Sequence, residues 1–174
     1  MPAIALLPLS LWLAACVWRD LKTRQVPNAL TMSALLLSAI GRAVAGDWLV
    51  VGMVLALIAI SDLPHTARIL LAGATWMVVI LFGSTAQGNL SHALFAAWVL
   101  WEMGVMGGAD TKMLTALLLF IGDPLLLVAV FLAGGLQGLI GLLRKEKSIP
   151  YTVAIAAGAV WYLVAQLLYR SSPF

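Results

Sequence analysis

Apolar residues run along this chain in long blocks separated by short polar breaks. The blocks fall at 3–18, 29–45, 48–61, 67–83, 90–106, 111–121, 125–143 and 151–169. Segments apolar on every face predict helices whose solvent is lipid. A straight crossing takes about 20 residues, so the shorter blocks predict tilted, re-entrant or joined segments. The breaks are Gly46-Asp47, Ser61-Asp62-Leu63-Pro64, Gly83-Ser84 through Gln87-Gly88-Asn89, and Gly122-Asp123-Pro124, all residue types that favour turns. Arg144-Lys145-Glu146-Lys147 is the strongest break. The expected fold is all-α, a polytopic membrane helical bundle of roughly six to eight transmembrane segments with the N-terminus outside. No internal repeat, low-complexity tract or linker interrupts it.

Composition agrees with the pattern. The chain is 63% hydrophobic and 10% charged, where a soluble domain carries about 25% charged residues. Residues 1–174 are therefore expected to form a single integral-membrane domain with no soluble zinc-binding insertion. Nucleic-acid binding is excluded as a reading, because no long basic surface remains once the helices are buried. Cys16 is the only cysteine, which excludes an intrachain disulfide and a multi-cysteine zinc site. Leu13-Ala14-Ala15-Cys16 looks like a lipoprotein cleavage box, but no Lys or Arg precedes its apolar run. Cys16 reads more simply as a small apolar helix residue.

The basic residues orient the chain. With the N-terminus outside and one crossing per block, Arg19, Lys22, Arg24, Arg68, Lys112, Arg144, Lys145 and Lys147 fall on one side. Only Arg42 and Arg170 fall opposite. Basic residues collect on the cytoplasmic side, so that side is expected to be inside the cell. Two carboxylates, Asp20 and Asp110, come out on the same face. Carboxylates at the ends of apolar helices are costly to desolvate and tend to mark function. Two that meet form a pair able to share one proton.

Each aspartate has a plainer reading. Asp20 lies in Arg19-Asp20-Leu21-Lys22-Thr23-Arg24, where pairing with a basic neighbour would make it an ordinary interface residue. Asp110 lies in Gly107-Gly108-Ala109-Asp110-Thr111-Lys112. Two glycines disfavour helical continuation, so a break is expected just before Asp110, which would then cap the next helix.

Together the two segments are more specific. Asp20-Leu21-Lys22-x-Arg24-x-x-Pro27-Asn28 after the first helix, followed by Gly107-Gly108-Ala109-Asp110-x-Lys112, resembles the type IV prepilin peptidases, which are intramembrane aspartic proteases. Ile149-Pro150-Tyr151 is similar to that family's opening of the last helix. The short form, without a Cys-x-x-Cys loop, resembles the tight-adherence (Flp) pilus or archaeal-type members. The resemblance implies catalytic roles for Asp20 and Asp110, with Gly107, Gly108, Ala109 and Lys112 as the supporting motif. It implies a prepilin-like precursor as substrate, cleaved at the cytoplasmic face of the inner membrane. Lys22, Pro27, Asn28 and Glu102 are possible secondary site residues. No metal and no cofactor is expected, and no methyl-donor site is recognisable. Ala109 departs from the family's glycine and adds a methyl group where the backbone could need freedom.

The remaining polar residues carry less. Glu102 lies within an apolar block, eight residues before Asp110 and near the same face if the helix stays continuous. It could tune the site, or be hydrogen-bonded to a neighbouring helix. His65 and His92 lack partners at metal spacing and read as loop and helix-start residues. Asp47, Asp62 and Asp123 read as turn formers. The tryptophans read as interface anchors and packing, and Gly134-Gly135, Gly138 and Gly141 as a stripe for close helix contact. Two rival functions remain: a non-catalytic assembly subunit, and a small transporter using Asp20, Glu102 and Asp110 as an ion relay.

Overall fold

The computed structural model describes residues 3–145 and 151–171, and within them the chain is all-α. Its eight helices are α1 (Ala3–Thr23), α2 (Asn28–Val44), α3 (Trp48–Ala59), α4 (His65–Phe82), α5 (Thr85–Glu102), α6 (Gly108–Ile121), α7 (Leu125–Leu143) and α8 (Tyr151–Ser171). The expected Ile149-Pro150 motif lies outside the described residues, as do Glu146 and Lys147. Nothing is assigned to them.

Among the described residues three helices are long and apolar enough to cross a bilayer: His65–Phe82, Leu125–Leu143 and Tyr151–Tyr169. Only 11% of the first of these spans is buried inside the protein. Leu70, Leu81 and Phe82 on it lie open, which suits a lipid solvent and not water. Helix α3 has 12 residues and so rises only about 18 Å. That is short of the roughly 30 Å hydrocarbon core.

Local chemistry sets the helix ends. The break expected from Gly83 to Asn89 is confined to Gly83-Ser84, because Ser84 and Gln87 form a capping box. The Gln87 amide donates to Ser84 Oγ at 3.3 Å, and the Ser84 amide donates to Gln87 Oε1 at 3.0 Å. Two otherwise orphaned donors are satisfied, so α5 starts at Thr85 despite its polar first turn. At its other end α5 stops at Glu102, not at 106. Helix α6 ends on Gly122 in the left-handed conformation (φ 74°), followed by Asp123-Pro124, a common way to stop a helix.

The chain divides into two compact units, Met1–Met32 with Leu125–Phe174, and Ser33–Pro124. In the first, α7 packs on α8 and α8 on α1. Trp12 Nε1 donates to the Leu30 carbonyl at 3.0 Å and ties α1 to the start of α2. Helices α7 and α8 approach tightly at Gly158, where a Cβ would stand 2.5 Å from Val130 Cα. The anticipated glycine stripe is engaged only in part. A Cβ on Gly134 would meet Ala154 at 3.8 Å, while Gly135 and Gly138 face open space. In the second unit α3 packs on α4 and α5, α4 on α5, and α5 on α6. Its core is dense along α6, where Met113, Leu114, Leu117, Leu118 and Leu119 are buried.

Candidate active site

Asp20 belongs to the first unit. The buried positions of α1 are Leu9, Leu13, Cys16 and Asp20, a spacing of four, three and four that marks one helix face. Asp20 therefore ends the helix's buried stripe. Arg19, Lys22 and Arg24, the cations expected to pair with it, are exposed. Among the described residues no ion pair joins them to Asp20. Arg24 closes the helix in the left-handed region (φ 55°), its amide donating to the Asp20 carbonyl at 2.8 Å. Lys22 lies in the last turn, where a cation complements the helix dipole. Pro27 and Asn28 open α2 as expected, the Pro27 carbonyl accepting from the Leu30 amide at 3.0 Å.

Asp110 belongs to the second unit. The expected break before it is present, spanning 103–107, and Gly107 is the N-cap of α6. Asp110 stands in the first turn, where free N–H groups and the helix dipole complement a carboxylate. A Cβ on Gly107 would sit 3.1 Å from Asp110 Oδ2, so the absent side chain leaves room for the carboxylate over the N-cap. Gly107 itself has φ −69° and ψ 154°, which any residue can adopt. Ala109 lies in ordinary helix, since the positive-φ glycine of this turn is Gly104 (φ 70°). The alanine thus meets no backbone demand that only glycine could satisfy, and it favours the helix.

Against the first turns of α6 lies a cavity of about 260 Å³ within the second unit. Leu57, Leu94 and Trp98 line its apolar part, with Gly108, Thr111 and Lys112 from α6 along one wall. Its volume suits one or two large apolar side chains.

Glu102 does not share a helix with Asp110, because α5 ends at Glu102. The five-residue turn removes the register that a continuous helix would have given. Its side chain is only 8% exposed, and its Oε1 accepts from Arg68 Nη2 at 2.7 Å and lies 2.7 Å from His65 Nδ1. Arg68 Nη1 also donates to the Ser61 carbonyl at 2.8 Å, and the guanidinium lies over the Trp101 ring, 5.6 Å from its centroid. From sequence alone Arg68 reads only as a cytoplasmic charge and His65 only as a loop residue. The available signal was Glu102 itself, since a carboxylate in an apolar block demands a counter-charge. Asp47 is likewise more than a turn former, accepting from Arg42 Nη1 at 3.0 Å and Gln87 Nε2 at 3.0 Å. Among the described residues no group of His, Cys, Asp and Glu could hold a metal ion.

The sequence profile of the Type IV leader peptidase family matches residues 7–143. The chain belongs to that family, and it is a peptidase by that membership. No curated protein matches the chain, and no solved structure does.

Proposed function

We propose that this protein is an intramembrane aspartic endopeptidase that removes the leader of prepilin-like precursors at the cytoplasmic face of the inner membrane. Asp20 and Asp110 are its carboxyl pair. The observation that carries this reading is the family match, which takes in both aspartates. The burial of Asp20 amid exposed cations and the glycine room around Asp110 support it. Two carboxyls brought to one scissile bond do not both ionise cheaply, so one holds a proton there. The ionised member takes a proton from the attacking water, and the hydroxyl oxygen adds to the scissile carbonyl carbon. The protonated member gives its proton to the carbonyl oxygen. As the tetrahedral intermediate collapses, the C–N bond breaks, the first carboxyl gives its proton to the leaving amine, and the second takes back a proton from the gem-diol hydroxyl. The apolar cavity against the first turns of α6 receives side chains of the precursor's hydrophobic segment, and the bilayer holds the rest of that segment.

Purified precursor in detergent tests this directly. Asp20→Asn and Asp110→Asn are each expected to abolish cleavage while the protein still inserts in membranes. Normal processing by Asp110→Asn sinks the proposal. Absence of cleavage by the unaltered protein would instead favour the assembly-subunit reading, in which both aspartates are dispensable.

A further inference from the structure

The pair of Arg68 and Glu102 lies outside the proposed carboxyl pair, yet through Trp101 it connects to the start of α6, the helix that carries Asp110. Glu102 is the last residue of α5, and Arg68 is in the first turn of α4. One guanidinium reaches Glu102, the Ser61 carbonyl beyond α3 and the face of Trp101. It thereby gathers the ends of three helices. Trp101 in turn lies against the first residue of α6, its Nε1 3.7 Å from where a Cβ on Gly108 would be.

The turn between α5 and α6 is hydrogen-bonded back onto the same end of α5. The amides of Val105 and Met106 both donate to the Leu100 carbonyl, at 2.9 and 3.2 Å, and Gly104 donates to Trp101 at 2.9 Å. Met106 is buried. With the turn tied down in this way, the direction in which α6 starts follows from how the end of α5 is held. Asp110 is three residues into that helix.

The pair is not arranged for greatest stability. Glu102 Oε2 and Arg68 Nε are both buried without a hydrogen-bond partner, while Oε1 is shared by Arg68 and His65. Buried ion pairs repay their desolvation only when such atoms are satisfied. An under-satisfied pair at this place fits a role in fixing geometry.

We propose that Glu102, held by Arg68, is a positioning residue that sets the orientation of Asp110 through the 103–107 turn and Trp101. This rests on the reading of Asp110 as catalytic. Glu102→Gln keeps the volume and an acceptor for Arg68 but removes the charge. Glu102→Ala removes the anchor. With the full-length protein and a purified precursor, kcat is expected to fall about tenfold in Glu102→Gln and about a hundredfold in Glu102→Ala, with KM unchanged. A raised KM at unchanged kcat would mean contact with substrate and overturns the proposal. Loss of folded protein with normal kcat per folded molecule overturns it too, as a structural role only. Hydrogen exchange at the Val105 and Met106 amides supplies a readout independent of cleavage. It is expected to quicken about tenfold in Glu102→Gln, and unchanged exchange refutes the clamp. If the unaltered protein cuts no precursor, the peptidase reading fails by itself, and the exchange result still decides whether Glu102 holds the turn.

Discussion

The two ends of α6 are each held by an arginine and a carboxylate, and they are built in opposite ways. The helix has 14 residues, so its ends stand about 20 Å apart. At the C-terminal end Arg42 Nε donates to the Leu119 carbonyl, one of the acceptors that a helix end leaves without an internal partner. Arg42 also pairs with Asp47, whose other oxygen takes Gln87. Gln87 is itself part of the capping box of α5. Both oxygens of Asp47 are used, and the pair is partly open, with side chains 21% and 23% exposed. At the N-terminal end Glu102 is nearly sealed and carries one oxygen with two partners and one with none. The first cluster is a well-satisfied staple. The second accepts a desolvation cost at the end of α5, ahead of the turn into α6.

Replacing each arginine by methionine tests the contrast most strongly. Arg68→Met leaves Glu102 buried without its cation and is expected to cost about 3–5 kcal/mol. Arg42→Met frees an Asp47 that water can reach, and is expected to cost about 1–2 kcal/mol. Melting temperatures in one detergent compare the two. Equal losses would remove the distinction between the ends. Cleavage per folded molecule should collapse in Arg68→Met and persist in Arg42→Met.

Glycine substitutions give the next effects. Gly122→Ala places a methyl group onto the Arg42 guanidinium at a left-handed φ. The guanidinium must leave and the backbone is strained, for an expected loss of about 2–3 kcal/mol. A Tm within a degree of the unaltered protein would show that Arg42 gives way freely. At the other end the smallest effects should divide. Gly107→Ala crowds Asp110 Oδ2 and should slow cleavage several-fold with little change in Tm. Gly108→Ala meets Trp101 at an ordinary 3.7 Å and should change stability by about 0.5 kcal/mol or less. A larger loss from Gly108→Ala than from Gly107→Ala would reverse the account of this turn.

Several features were legible before any coordinates. The all-α membrane fold follows from apolar blocks alone, because lipid leaves backbone groups no partner outside a helix or a closed barrel. The break ahead of Asp110, the helix start at Pro27-Asn28 and the family were readable from short motifs. Arg42 is the instructive failure. From the spacing of basic residues it reads only as a cation on the other face, whereas it caps α6, a helix that begins 66 residues later in the chain. Asp47 was assigned to a turn for the same reason, since neighbours in sequence say nothing about Gln87.

The sequence by itself determined where helices form, what solvent surrounds them and which two aspartates deserve a reaction. Those follow from local composition and spacing, which act within a few turns of chain. Only the tertiary structure decided that Asp20 completes the buried stripe of α1 and that Ala109 sits in unstrained helix. It alone joined Arg68 to Glu102 across 34 residues. Pairing of that kind depends on which helix ends meet, and hydrophobic periodicity, being the same on every lipid-facing helix, carries no record of it.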